Sequence, residues 1–343
     1  MHAILVAVVF GAIGAYLLAA SKAATPTASF EAENGVLASS ATTASDSTAS
    51  GGNAVRFTAS GQGETYTLPT AATVGPRYAS TRTLSAAQAL TELRSTGTLS
   101  RATIQGTFSL SGSDGINWVI EDVRFESGTY GVRGYSGGTA FTGTQAQRPV
   151  FRYVEVVGTA ARNAGDCSAV VYGYDMVFEH ADIYGCNDGV KASSNFEMSS
   201  SWVHDLDHPS AAHSDAVQIV SGTGIVFTGN RFDAYVGYSS DGSQVPDGDT
   251  ANAALQTGSV TGQISATWEH NWFAGGHYTI RSDGANALVD YTFRNNRFLR
   301  NGTSVALEVT NLPPNRYGPV YGGVTTNEVW ENNVWDDTGE LVQ

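Results

Sequence analysis

From residue 115 onward the apolar and polar positions follow one recurring pattern: apolar, any, apolar, any, any, small or Asn, any, apolar. The clearest copies are Ile225-Val226-Phe227-Thr228-Gly229-Asn230-Arg231-Phe232, Tyr291-Thr292-Phe293-Arg294-Asn295-Asn296-Arg297-Phe298 and Glu328-Val329-Trp330-Glu331-Asn332-Asn333-Val334-Trp335. Aligned on the last apolar residue, Phe125, Val156, Ile183, Val203, Phe232, Phe273, Phe298 and Trp335 form a column, at gaps of 31, 27, 20, 29, 41, 25 and 37 residues. Five positions earlier stand Ile120, Phe151, Phe178, Met198, Phe227, Trp268, Phe293 and Trp330, all large and apolar. Two positions before the end come Val123, Val154, Ala181, Ser201, Asn230, Asn271, Asn296 and Asn333. The last four predict an inward ladder of asparagines, each amide bonding its neighbours above and below.

Fixed register across variable gaps is what stacked coils produce, because strands must align within a sheet while the turns between them swell freely. A period near two within each unit excludes helical repeats, and the unequal unit lengths exclude a propeller. The predicted fold is an all-β parallel β-helix, a solenoid of about eight or more coils at about 4.8 Å each. Ser85-Ala86-Ala87-Gln88 has the form of a capping box, and Leu84, Ala87, Leu90 and Leu93 fall at helical spacing. They predict a short helix over 85–94 that covers the first coil. Cys167 lies three residues before Val170 and Cys186 four before Val190, so the cysteines occupy nearly equivalent places on adjacent coils and are expected to form a disulfide.

Composition narrows the function classes. The chain has 343 residues, 39 of them Gly, and only 15% are charged, against roughly 25% in an average protein. Its 18 basic and 32 acidic residues leave no basic footprint for nucleic acid, and a polyanionic glycan is repelled at long range unless a cation or a local Arg cluster intervenes. The apolar run from Ala3 to Ala20, followed by Ser21-Lys22-Ala23, reads as a signal peptide over 1–23, or as an uncleaved membrane anchor. Either places the bulk outside the cytoplasm, secreted or at the cell surface. The even pair of cysteines suits that oxidising compartment. A monomer is expected.

Residues 24–75 are Ser/Thr/Gly-rich, with possible strands at 28–33 and 54–57. Phe30-Glu31-Ala32-Glu33, followed by Ser50-Gly51-Gly52-Asn53-Ala54-Val55, resembles the opening of the β-sandwich carbohydrate-binding modules found on secreted glycan-active enzymes. The resemblance is a fragment, short of the roughly 100 residues of a sandwich, and carries over no sugar-binding residue. Residues 76–343 form the solenoid domain, and from 115 they resemble the right-handed parallel β-helix proteins of the pectate-lyase-like superfamily. Tyr317-Gly318-Pro319-Val320 through Asp336-Asp337-Thr338-Gly339 is similar to a group of secreted bacterial β-helix proteins. The resemblance implies the hand of the coil but not one activity, since the superfamily holds lyases, hydrolases, epimerases, tailspikes and adhesins.

In such enzymes the substrate lies across the outside of one sheet, beside swollen turns. Asp188-Gly189-Val190-Lys191 and Asp215-Ala216-Val217-Gln218 occupy matching places in successive coils, which stacks the Asp188 and Asp215 carboxylates as a glycosidase pair requires. Asp114-Gly115-Ile116 repeats the same turn, so a purely structural reading stays open. With Val190 and Val217 inward, Lys191 and Gln218 point outward. By analogy with the superfamily's lyases, Lys191 or His213 is a candidate base and Arg281 a candidate partner for a substrate carboxylate.

His204, Asp205 and His277 are candidate substrate contacts from a His- and Asp-rich stretch that reads equally as a hydrogen-bonded polar turn and matches no zinc spacing. Tyr235 and Tyr238 are candidate sugar platforms, and Asp241, Asp247 and Asp249 nearby are possible Ca²⁺ ligands. Neither the arginine-containing motif of the classical pectate lyases nor the paired Asp and Gly-His-Gly motifs of the polygalacturonases occur. The expectation is a polysaccharide lyase or glycoside hydrolase acting on an extracellular polysaccharide, or a non-catalytic glycan-binding or surface-attachment protein.

Overall fold

The computed structural model describes residues 41–45, 53–57 and 66–342, apart from 129, 136–139, 159–166, 209–212, 240–250, 258–262, 283–288, 306–308, 313 and 322–327. The chain divides into two compact units between Thr65 and Tyr66. In the first, the strand Ala41–Ser45 pairs antiparallel with Asn53–Phe57. The expected leader over 1–23 and the apolar piece at 28–33 lie outside the described residues. Among the described residues no helix is long and apolar enough to cross a membrane.

The second unit winds as a parallel β-helix of three sheets. Each coil contributes a strand to sheet A (nine strands, Thr98–Ser100 to Val329–Glu331), then to sheet B (ten, Arg82–Ser85 to Val334–Trp335), then to sheet C (eight, Phe108–Ser109 to Gly318–Tyr321). The columns read from the sequence are the observed registers. On sheet B, Phe125 pairs with Val156, and Val156 with Ile183, on through Phe232, Phe273 and Phe298 to Trp335. On sheet A, Ile120 pairs with Phe151, and the column runs through Phe227 and Trp268 to Trp330. Two rungs precede those eight, at Leu84 and Ile104.

Stacking at this spacing puts like on like. Phe151 lies over Phe178 with ring centroids 4.7 Å apart, and Phe227 over Trp268 at 4.1 Å. Each such pair adds about 0.5–1.5 kcal/mol to the area it buries. Between sheets A and B the chain turns on one left-handed residue per coil, among them Asp122, Tyr153, His180 and His270. The next residue faces inward, which is where the asparagines stand.

Asn230, Asn271, Asn296 and Asn333 are fully buried. Nδ2 of each of the first three donates to Oδ1 of the next, at 3.1, 3.1 and 2.9 Å. The same Oδ1 atoms accept the backbone N–H of the asparagine one coil earlier. Each Nδ2 also donates to a main-chain carbonyl, of Met198, Phe227, Trp268 and Phe293 in turn. Ser201 continues the ladder downward, donating its N–H to Asn230 Oδ1 and accepting the Ala181 N–H.

The ends of the stack are covered. Helix α1 (Ala86–Thr96) starts at a Ser85–Gln88 capping box and stops at Gly97, whose φ of 71° suits glycine. Its buried face is Ala89 and Leu93, with Ala86 and Leu90 packed beside them, whereas Ala87 is exposed. The inward stripe is thus shifted from the expected set by one position at Ala87. At the other end Trp330 Nε1 donates to the Val342 carbonyl, and Val342 joins the core.

Residues 66–81 run as a strap across the stack. Tyr66 stacks on His270 and fills the space over Gly229, Gly75 N–H bonds the His180 carbonyl, and Arg77 pairs with Asp122 while lying over Tyr153. The disulfide Cys167–Cys186 joins neighbouring coils with Cα atoms 5.2 Å apart. Val171, not Val170, is the register partner of Val190, so both cysteines stand four residues before equivalent valines.

Removing one asparagine strands donors on the coil below it, at about 1–3 kcal/mol for each buried group left unsatisfied. Asn271→Ala is expected to lower stability by about 2–5 kcal/mol, whereas Asn230→Ser is expected to cost less, because Ser201 already continues the ladder with a hydroxyl. Thermal or denaturant melting measures both, and an unchanged Asn271→Ala midpoint contradicts the ladder's role.

Candidate functional site

On sheet C the residue after each inward apolar position faces out. In register this outer row reads Ser109, Arg133, Tyr172, Lys191, Gln218, Gln256, Arg281 and Tyr321. From Arg133 to Tyr321 it spans six coil steps, about 29 Å. Three cations and two tyrosines therefore stand in a single file on a chain of net charge −14. Parallel pairing makes the file, because identical strand positions must lie one above another.

Asp188 and Asp215 open their strands, three residues before Lys191 and Gln218, and are 2% and 1% exposed. The Asp215 backbone N–H donates to Asp188 Oδ1 at 3.0 Å. Lys191 Nζ lies 3.1 Å from Asp188 Oδ2 and donates to Ser168 Oγ at 2.8 Å. On the next coil Asn252 Nδ2 donates to Asp215 Oδ1 at 2.7 Å, and Arg281 Nη1 donates to Asn252 Oδ1 at 2.8 Å. The Gln256 amide, turned to suit its neighbours, places its nitrogen 3.1 Å from both Asp215 oxygens.

Burial pushes the Asp188 carboxyl up to about 6, against the pull of the Lys191 ammonium. Burial and then the charge of Asp188 hold Asp215 well above the usual carboxylate range, with Asn252 and Arg281 opposing. Two coupled carboxyls in one dry place titrate as a pair, each holding its proton more tightly for the other's charge. Such a pair can give a proton and take one. Lys191, expected as a candidate base, stands with its Nζ against the Asp188 carboxyl.

His213 is exposed beside this pair, and its charge acts on Asp188. His277 is half-buried at the upper end of the file, 5.5 Å ring to ring from Tyr317. His204 and Asp205 are elsewhere. They leave sheet B, where His204 is bonded through Nδ1 to Asp205 at 2.6 Å and through Nε2 to Asp182 at 2.7 Å, with Trp202 and Tyr184 against its ring. Burial alone would lower the His204 pKa; Asp182 and Asp205 outweigh it and raise the ring to about 10, so it is a fixed imidazolium.

Tyr235 is fully buried in a satellite cluster with Ala274 and Leu312, so its face is closed to a ligand. Tyr238 contributes backbone to the strand Val236–Ser239; its side chain, with Asp241, Asp247 and Asp249, lies outside the described residues. Among the described residues no three His, Cys, Asp or Glu side chains converge to hold a metal.

Sequence reasoning missed Asn252, Gln256, Tyr172 and Arg133. The signal was present, since Ala253-Ala254-Leu255-Gln256 repeats Asp215-Ala216-Val217-Gln218 and Ala169-Val170-Val171-Tyr172 repeats it again. Also missed were the tyrosines at either end, Tyr130 and Tyr174 around Tyr172, and Tyr278 and Tyr317 around Tyr321.

No protein-family model matches the chain, and neither does any curated protein. Among solved structures, the crystal structure of alginate lyase from Paenibacillus sp. str. FPU-7 is similar at 11% identity and a TM-score of 0.33, over 73% of this chain and 100% of that one. A likeness this distant says nothing about chemistry, so the site is judged on its own geometry.

The two buried clusters lose stability in the same direction, as pH rises, but over different windows. A carboxyl whose folded pKa is raised contributes stability below its unfolded value and loses it as pH rises through the folded one. Asp215→Asn is therefore expected to raise the melting temperature at pH 8 and to change little at pH 4. The raised His204 contributes stability below about 6.5 that is lost as pH climbs through about 10, so His204→Gln flattens that alkaline decline. Melting curves across pH test both signs.

Proposed function

We propose that this chain is a secreted or cell-surface enzyme, working as a monomer, that hydrolyses an extracellular polysaccharide laid along the outer file of sheet C. The observation that carries this reading is the coupled Asp188–Asp215 pair on adjacent coils, its proton affinity raised by burial, in the middle of a polar file with tyrosines at both ends. The inter-coil disulfide supports a compartment outside the cytoplasm.

Asp215, the more strongly raised of the two, holds the proton and gives it to the glycosidic oxygen as that bond breaks. Asp188, kept ionised longer by its pairing with Lys191, either takes a proton from a water that attacks the anomeric carbon or attacks that carbon itself, forming a glycosyl ester that water then hydrolyses. Gln218 and Arg281 offer amide and guanidinium groups to hydroxyls or carboxylates on the sugars that flank the cleaved bond. Non-catalytic recognition of a glycan is the second reading, and the burial of both carboxyls favours it. A lyase with Lys191 or His213 as base and Arg281 as charge partner is the third, opposed by the Lys191–Asp188 ion pair.

Incubation with a panel of uronate and neutral glycans is expected to give new reducing ends without products absorbing in the ultraviolet. Asp188→Asn and Asp215→Asn are expected to lower kcat by about 10²–10⁴ with the fold retained. The acid limb of kcat/KM should rise through about pH 6 as Asp188 ionises, and Lys191→Ala should move that limb to higher pH. Unsaturated products absorbing in the ultraviolet establish the lyase instead; binding without any product establishes recognition alone.

A further inference from the structure

Tyr278, Tyr317 and Tyr321 form one aromatic surface at the upper end of the file. Tyr278 lies 4.7 Å from Tyr321 and 5.6 Å from Tyr317, centroid to centroid. Tyr317 and Tyr321 are 60% and 46% exposed, among the few large hydrophobic side chains of the described residues left open to solvent. The surface is held in place by its backbone: Arg316 N–H donates to the Gly276 carbonyl and Tyr317 N–H to the His277 carbonyl, while Asn315 Nδ2 donates to Thr279 Oγ1. Arg281 lies over the Tyr321 ring at 5.7 Å and Arg316 over Tyr317 at 5.5 Å. Exposed, pre-ordered aromatic faces edged by guanidinium groups suit the apolar face of a sugar that carries an acid substituent.

We infer that this surface is a second glycan subsite, in which Tyr317 and Tyr321 stack on an acidic sugar whose carboxylate meets Arg281 and Arg316. The inference rests on the reading of the file as a polysaccharide track and adds its substrate class and mode of action. Tyr278 stands two coil steps from Asp215, through Ala253, and Tyr321 stands one step further. On the other side Tyr172 stands one step below Lys191, with Tyr130 and Tyr174 beside it and Arg133 over Tyr130. Sugars bound on both sides of the carboxyl pair place the cleaved bond inside the chain, so the action is internal and not from an end. The cations sit on a molecule of net charge −14, and they supply the local attraction that an acidic glycan needs.

Calorimetry on the Asp215→Asn protein, which holds substrate without turning it over, tests the subsite. The probes are oligouronates of the galacturonate, glucuronate and mannuronate types long enough to cover the file, their disaccharides, and neutral cello-oligosaccharides of equal length. The Tyr317→Ala/Tyr321→Ala background is expected to weaken a long oligouronate about tenfold or more and to leave a disaccharide unaffected. Tyr321→Phe should retain affinity, and Arg316→Gln should narrow the margin between acidic and neutral chains. Wild-type affinity in the double variant, equal binding of neutral and acidic chains, or no binding of any oligouronate overturns the inference. Loss of affinity in the tyrosine variants together with full turnover by an otherwise unaltered Asp215→Asn enzyme sinks the hydrolase and leaves the subsite standing.

Discussion

The strands of the three long sheets find their ladder hydrogen bonds on the coils above and below, and the rest of the structure follows from that dependence. A parallel strand pairs at one register or not at all once one face is buried, so Phe125, Val156 and Ile183 must lie one over another. The corner asparagines enforce the same register from inside the solenoid, where no water can replace a missing partner. Aromatic rings then stack because their Cα atoms already do. Helix α1 and the C-terminal turn close the ends, where the supply of partner strands stops.

The same register builds the candidate site. One outward position repeated over successive coils becomes a linear file, whose pitch is the strand spacing. Asp188 and Asp215 are forced together by that stacking, although two like charges in a dry place oppose each other, and the conflict raises their proton affinity and is eased by the contacts of Lys191 and the Asn252 amide. His204 shows the reverse solution on sheet B, where one cation satisfies two carboxylates and has no proton to exchange near neutral pH. The two clusters look alike as sequence, each a mixture of His and Asp, and differ only in which charges are paired. That difference separates a group suited to proton transfer from a structural one.

The strap over 66–81 and the disulfide do related work. Both tie coils to one another along the axis, a direction in which a solenoid otherwise relies on nearest neighbours alone. Arg77, held by Asp122 and laid on Tyr153, and Tyr66, laid on His270, anchor the two ends of that strap on different coils. The outer file of sheet C keeps the spacing of its rungs, and these ties oppose separation between coils.

The solenoid, its two aromatic columns, its asparagine ladder and the partnership of the cysteines were legible in the sequence, because each depends on local period two and on one residue type recurring at a fixed place. The pairing of Asp188 with Asp215 and the outward aim of Lys191 and Gln218 were legible for the same reason. Only the tertiary structure decided that His204, Asp205 and Tyr235 are buried away from the file, and that Lys191 is bound to Asp188. It alone brought Asn252, Tyr317 and Tyr321 to the same face. Those placements depend on which coil lies above which across turns of unequal length, and on whether a polar group meets solvent or an opposite charge, and neither is written in the spacing of residues along the chain.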